Sequence, residues 1–287
     1  MVQGANHQRA AILRDFSLEI SGKDRQHLED VQSMLPAGTR VNITFIGNES
    51  IESRVAAAKT VKDLGFTPVP HIAARRLASQ VELREFLNRL REVGATEHLF
   101  IVGGDPTTPH GPYSSAADVI ATGMLSDFGA REISIAGYPD GHPDISRSVL
   151  WEELEAKSLA IKEQGMQSVL LTQFTFHIEP VIAWITAVRE RGVESEIRIG
   201  TPGPAGVKRL MNFARRFGVG TNASIVKKYG FSITNLLGTA GPGRFVSDLA
   251  HLIDEHHLDA VKLHFYTFGG LQATAQWAAD YLDESAA

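Results

Sequence analysis

Eight short apolar runs, each followed by a helical pattern, organise this chain of 287 residues. The runs lie near 15–20 (DFSLEI), 40–46 (RVNITFI), 67–72 (TPVPHI), 97–102 (EHLFIV), 132–138 (EISIAGY), 167–173 (QSVLLTQ), 196–200 (EIRIG) and 259–266 (DAVKLHFY). Short, mostly apolar runs belong to strands covered on both faces, as in parallel sheets. Between them, apolar residues recur at spacings of three and four, which predicts amphipathic helices. Segment 50–64 places Ile51, Val55, Ala58, Val61 and Leu64 near one stripe, and 79–92 carries Val81, Leu83, Phe86, Leu87 and Leu90. Gly65 and Gly94 follow as C-caps. Further helices are predicted at 24–35, 114–128, 146–164, 178–191, 205–217, 221–229, 241–257 and 271–283.

Eight β/α units over about 250 residues match the size and rhythm of a (β/α)8 TIM barrel. A doubly wound open sheet is the rival architecture. No Pro/Ser-rich linker divides the chain, so one domain is expected over 14–287, preceded by an N-terminal arm, 1–13. Zero cysteines exclude disulfides, thiolate metal sites and cysteine nucleophiles, and are compatible with a cytoplasmic address. The net charge is −5 with no basic block, so nucleic acid is not an expected partner. No run approaches the roughly 18 apolar residues of a membrane span. No signal-peptide apolar region opens the chain.

In a parallel barrel the C-terminal strand ends meet at one rim, where reactive groups converge. Four polar residues stand at such ends: Glu19, Asp105, His142 and Gln173. Glu19 lies among Phe16, Leu18 and Ile20. Apolar surroundings raise a carboxyl pKa and suit a general acid, although a strand-end glutamate can equally face solvent or pair with a lysine. Asp105 follows Gly103 and Gly104, which permit close backbone approach to a ligand; a turn aspartate before Pro106 is the alternative. Gln173 both donates and accepts, suiting an amide-bearing heterocycle such as a pterin, or else a loop backbone. Phe174 and Phe176 beside it stack on a ring or simply pack. His71 and His142 lack metal-ligand spacing, and no metal is expected. GTPGPAG (200–206) and GTAGPG (238–243) each precede a helix whose N-terminus suits an anion. A G-x-G-x-x-G fingerprint is absent, which argues against a Rossmann NAD site.

These motifs together resemble the methylenetetrahydrofolate reductase family over roughly residues 15–285. FSLE, VNITFIGN, VPHI, GGDP, GYPDGHPD, LTQFTF and HFYTF stand in the family's order. The resemblance implies a TIM barrel with non-covalent FAD, and NAD(P)H as co-substrate. It implies reduction of 5,10-methylenetetrahydrofolate to 5-methyltetrahydrofolate, or the reverse, in one-carbon metabolism and methionine biosynthesis. It assigns Glu19 as the acid that opens the five-membered ring. Asp105 and Gln173 become pterin contacts. Thr44, His71, Gly104, Asp105, Tyr138, His142 and Lys162 become flavin contacts. The family is usually homo-oligomeric, with a folate substrate and no membrane partner.

The departures from the family pattern concern the flavin. Gly103 replaces the arginine of the family's R-G-D. In the helix after HP, WEELEAKSLAIKEQG retains only Lys162 as a counterpart to the family's FAD-holding series. Two alternatives therefore stand: direct hydride transfer from NADH to folate without flavin, and a non-redox folate-binding barrel.

Overall fold

The structure is a computed structural model describing residues 12–47, 49–216 and 239–286. Eight parallel strands form the barrel: β1 (Ser17–Ser21), β2 (Arg40–Thr44), β3 (Thr67–Ala73), β4 (His98–Val102), β5 (Glu132–Gly137), β6 (Gln167–Thr172), β7 (Glu196–Pro202) and β8 (Val261–Tyr266). Each pairs with its sequence neighbour, and β1 pairs with both β2 and β8, so the sheet closes. Closure excludes the open-sheet rival. All eight predicted strands are present, within three residues at each end.

The helices are α1 (Arg25–Asp30), α2 (Ile51–Asp63), α3 (Gln80–Glu92), α4 (Ala116–Ala121), α5 (Met124–Asp127), α6 (Arg147–Glu163), α7 (Ile178–Glu190), α8 (Val207–Arg216), α9 (Gly243–Glu255) and α10 (Leu271–Ala286). Serine side chains cap α2, α3, α4 and α6 at their first turns. Such caps satisfy backbone N–H groups that have no intrahelical partner.

Four expectations are corrected. The helix predicted over 24–35 ends at Asp30, and a 3₁₀ turn, Gln32–Met34, follows it. The helix predicted over 114–128 breaks at Gly123, whose φ of +70° no continuing helix can hold. Val81, placed on an apolar stripe, is exposed. Ile12 and Leu13, assigned to the arm, are buried in the main core. The predicted helix over 221–229 lies outside the described residues. A two-residue antiparallel ribbon, Ala205–Gly206 with Thr239–Ala240, joins the loop after β7 to the segment before α9.

The main core lies between the barrel wall and the helices. Outward residues Leu18 and Ile20 of β1, Leu99 and Ile101 of β4, and Ile133 and Ile135 of β5 are buried there with Val61 of α2, Leu87 of α3 and Ile161 of α6. Strand side chains alternate. Residues between those outward positions therefore point into the barrel, and many are polar.

The N-terminal mouth of the barrel is filled by paired charges. Arg40 holds Glu132 with both guanidinium nitrogens, and His98 Nδ1 lies 3.3 Å from the same carboxylate. Arg198, 3% exposed, meets Asp15 at 2.9 Å and Glu196 at 2.8 Å. Burial alone would raise the Glu132 carboxyl. Hydrogen bonds from His98 and Arg40, with the charge of Arg40, outweigh it and hold Glu132 at about 2.

Candidate active site

Glu19 is the central inward residue of β1. Its flanking residues Leu18 and Ile20 face the helices, so the carboxyl is turned toward the barrel interior. Its backbone carbonyl accepts a hydrogen bond from Thr267 Oγ1 at 2.9 Å, which ties the ends of β1 and β8 together. Burial, with the like charge of Asp24 second, pushes Glu19 up to about 8. A carboxyl with that pKa is mostly protonated at neutral pH and can donate a proton there.

The barrel interior also holds a set of neutral polar groups. His264 Nδ1 is 2.9 Å from Ser17 Oγ, and His71 Nε2 is 3.2 Å from Asn42 Oδ1. Burial and the nearby Arg54 push His71 down to about 3. Burial, His71 and Arg198 hold His264 well below the usual imidazole range. Both rings are therefore uncharged at neutral pH. The His71 ring meets Phe100 edge-on at 4.6 Å. Tyr266, at the end of β8, donates to Thr172 O at 3.0 Å. Burial, Glu19 and Tyr138 push its phenol well up. No cation among these groups offsets a charge on Glu19.

The other predicted residues stand on the same rim. Thr44 closes β2 and donates to Ile20 O at 3.2 Å. Gly104 has φ +92° and its α-carbon faces Ala73, where a Cβ would come within 3.2 Å of the alanine methyl. Asp105 follows on an exposed loop, paired with Arg76. Gln173 is anchored just past β6 by its N–H to Gly137 O at 2.9 Å. Tyr138 and His142 form an edge-on pair at 5.4 Å in the loop after β5. His177 and Asp140 join this loop to the next at 3.5 Å.

Lys162 does not join them. It is exposed in the last turn of α6, just before Gly165 and β6. In a β/α unit the strand rises to the rim and the helix descends from it. The end of α6 therefore lies at the opposite mouth. The cation at the rim end of α6 is Arg147, its first residue. Arg147 lines a cavity of about 480 Å³ between α6 and α7, together with Tyr138, Pro139, Gly141, Trp151 and Trp184. The Trp151 and Trp184 rings stack at 6.1 Å.

Sequence reasoning missed Tyr266, His264, Arg76 and Arg54. Arg54 had a visible signal, a charge within an otherwise apolar stripe. It is 5% exposed, with its guanidinium 4.0 Å from the Phe45 ring and 4.3 Å from the Phe86 ring. Among the described residues, no group of three or more histidine, aspartate or glutamate side chains is placed to hold a metal.

A closed parallel barrel with a protonatable carboxyl and a polar rim at its C-terminal face defines a barrel enzyme class in which loop residues set the chemistry. The chain belongs to the methylenetetrahydrofolate reductase family, whose model matches residues 24–277. It is 28% identical over 177 residues to a 5,10-methylenetetrahydrofolate reductase of Pectobacterium carotovorum, a match covering 61% of this chain and 57% of that relative. The Salmonella typhimurium enzyme of the same name is 25% identical over 177 residues, with the same coverage. The chain thus spans a little over half the length of these relatives.

Two solved structures share the fold. One is a Clostridium thermocellum protein described as binding two copies of 5-methyl-5,6,7,8-tetrahydrofolic acid, with TM-score 0.57, 11% identity and 94% coverage of both chains. The other is a Thermus thermophilus dihydropteroate synthase, with TM-score 0.50, 16% identity and coverage of 95% of this chain and 94% of that one. At such identities these likenesses concern the barrel architecture alone.

Proposed function

We propose that this chain reduces 5,10-methylenetetrahydrofolate to 5-methyltetrahydrofolate with hydride from NAD(P)H, or runs that reaction backwards. The observation that carries the reading is Glu19, an inward carboxyl raised to about 8 at the rim of this family's barrel.

In the forward direction protonated Glu19 gives its proton to the folate N10. The bond from N10 to the bridging carbon breaks, leaving an N5 iminium. Hydride adds to the iminium carbon and makes the methyl group. Glu19 then regains a proton from solvent. Asp105 and Gln173 orient the pterin, the aspartate by accepting N–H donors and the glutamine by accepting and donating. Neutral His71 and His264 place no positive charge of their own beside Glu19 that would draw off its proton.

Arg147, at the N-terminus of the 17-residue helix α6, would suit the phosphates of FAD. Thr44, Gly104, Tyr138 and His142 would face the ring end, with His71 behind them. Bound FAD would supply two-electron carriage between nicotinamide and folate. A flavin-free transfer is the second reading. It is favoured by Gly103 in place of the family arginine and by Lys162 at the opposite mouth.

The test is an absorption spectrum of the purified protein with and without added FAD, alongside NADH oxidation. Flavin bands bleached by NADH and restored by methylenetetrahydrofolate support the flavin route. Folate-dependent NADH oxidation by a colourless protein that ignores FAD supports the direct route. Absence of both activities removes the redox reading and leaves a folate-binding barrel. A cytoplasmic place and a homo-oligomeric state belong to the same proposal; no described helix is long and apolar enough to cross a membrane.

A further inference from the structure

Asp105 is held by a residue that no motif singles out. Arg76 Nε donates to Asp105 Oδ1 at 2.8 Å, and Arg76 Nη2 donates to Oδ2 at 2.7 Å. The remaining nitrogen, Nη1, donates to Gly47 O at 2.9 Å. The guanidinium also lies over the Phe45 ring at 4.9 Å. Arg76 thus joins the loops that follow β2, β3 and β4. Its side chain is 16% exposed, whereas that of Asp105 is 73% exposed. The arginine is the anchored partner, and the carboxylate is the one presented outward.

A carboxylate has about four lone-pair directions, two on each oxygen. Arg76 takes one from each oxygen in a fork-to-fork pair. One remains on each, and these two point away from each other, so each accepts from a separate donor. The 2-amino group of an aminopyrimidinone ring supplies such a donor. Gly103, beside Asp105, cannot supply a guanidinium to the loop, and Arg76 brings one from the preceding β/α unit.

We propose that Arg76 is a positioning residue that fixes the plane and charge of Asp105 so that an outward lone pair accepts one N–H of the folate aminopyrimidinone ring. The inference rests on the folate reading of the rim. Arg76 acts through Asp105 and makes no contact with the reacting carbon.

The experiment titrates 5-methyltetrahydrofolate by calorimetry into the full chain and into Arg76→Lys, Arg76→Gln, Asp105→Asn and the Arg76→Gln/Asp105→Asn double variant. Folate KM, NAD(P)H KM and kcat are measured in parallel. Arg76→Gln is expected to weaken folate binding about tenfold while kcat and the NAD(P)H KM change far less. Arg76→Lys falls between, because an ammonium cannot form the two-pronged contact. The double variant binds no more weakly than Asp105→Asn alone, within about twofold, because both changes remove one unit. Additive losses overturn the proposal. Unchanged binding in Arg76→Gln overturns it as well. Tighter binding would mean that Arg76 competes with the ligand, and it also overturns the proposal. Should Arg76→Gln fail to fold, Arg76→Lys carries the same comparison. A wild-type chain that neither binds nor reduces folate refutes the site reading itself, a result distinct from these.

Discussion

The two mouths of the barrel treat carboxylates in opposite ways. At the N-terminal mouth Glu132 is gripped by Arg40 and His98 and sits at about 2. At the C-terminal mouth Glu19 meets no cation among the described residues, and burial leaves it at about 8. The residue type and the wall are the same, yet the two pKa values differ by several units. A carboxylate paired on burial stays charged and ties strands together. A carboxyl buried unpaired keeps its proton and becomes a reagent. Ser17, Asn42, His71 and His264 line the interior with neutral polar groups in place of paired charges.

The sharpest way to break this contrast is to exchange one carboxyl at each mouth. Glu19→Gln is expected to lower the rate of folate reduction by roughly 10²- to 10⁴-fold, the usual worth of a positioned acid, with the fold intact. Retained kcat in a folded variant would sink the acid assignment. Glu132→Gln is expected to do the reverse. It leaves Arg40 half-paired in the barrel, costs about 2–4 kcal/mol in a denaturant titration, and leaves the KM values near wild type. A Glu132→Gln protein as stable as wild type would show that the lower network does not hold the mouth.

The pH dependences should also run in opposite directions. Glu19 donates only while protonated, so folate reduction should fall as pH rises through about 8. Its native pKa is above the unfolded value of 4.5, so between 4.5 and 8 the unfolded chain binds fewer protons there and stability falls as pH rises. Glu19→Gln should accordingly raise stability at pH 7.5, on the order of 4 kcal/mol. For Glu132 the native pKa is below the unfolded one. Its contribution is present above 4.5 and is lost as pH falls toward 2, on the order of 3 kcal/mol in all. Melting curves across pH on wild type and both variants test each sign. Wild-type activity that holds level to pH 10 would contradict the raised pKa.

The smallest effect is expected at the rim. Gln173→Ala should raise the folate KM by roughly five- to tenfold, the worth of one or two hydrogen bonds, and leave NAD(P)H use unchanged. Equal losses toward both substrates would place Gln173 in general packing rather than at the pterin.

Much of the barrel was legible because strand and helix periods are local. Eight runs and their spacing sufficed, and Glu19, Gln173 and Asp105 fell at strand ends that the fold brings to one rim. What was not legible has physical causes. Lys162 was placed by similarity within a helix, but a helix has two ends and only chain direction decides which end faces the rim. Arg54 sat in an apolar stripe, and only the rings of Phe45 and Phe86 explain its burial. The pairing of Arg76 with Asp105 joins residues 29 apart and left no trace in local spacing.

The sequence by itself determined the β/α alternation, its strands, the family and the candidate acid, because periodicity and motif order survive in one dimension, and the pairing of β1 with β8 closed the sheet only in space. Only the tertiary structure decided which carboxyl is charged, which arginine reaches Asp105 and which end of α6 meets the site. Desolvation and pairing depend on what surrounds a group in space, and in this barrel those neighbours come from distant parts of the chain.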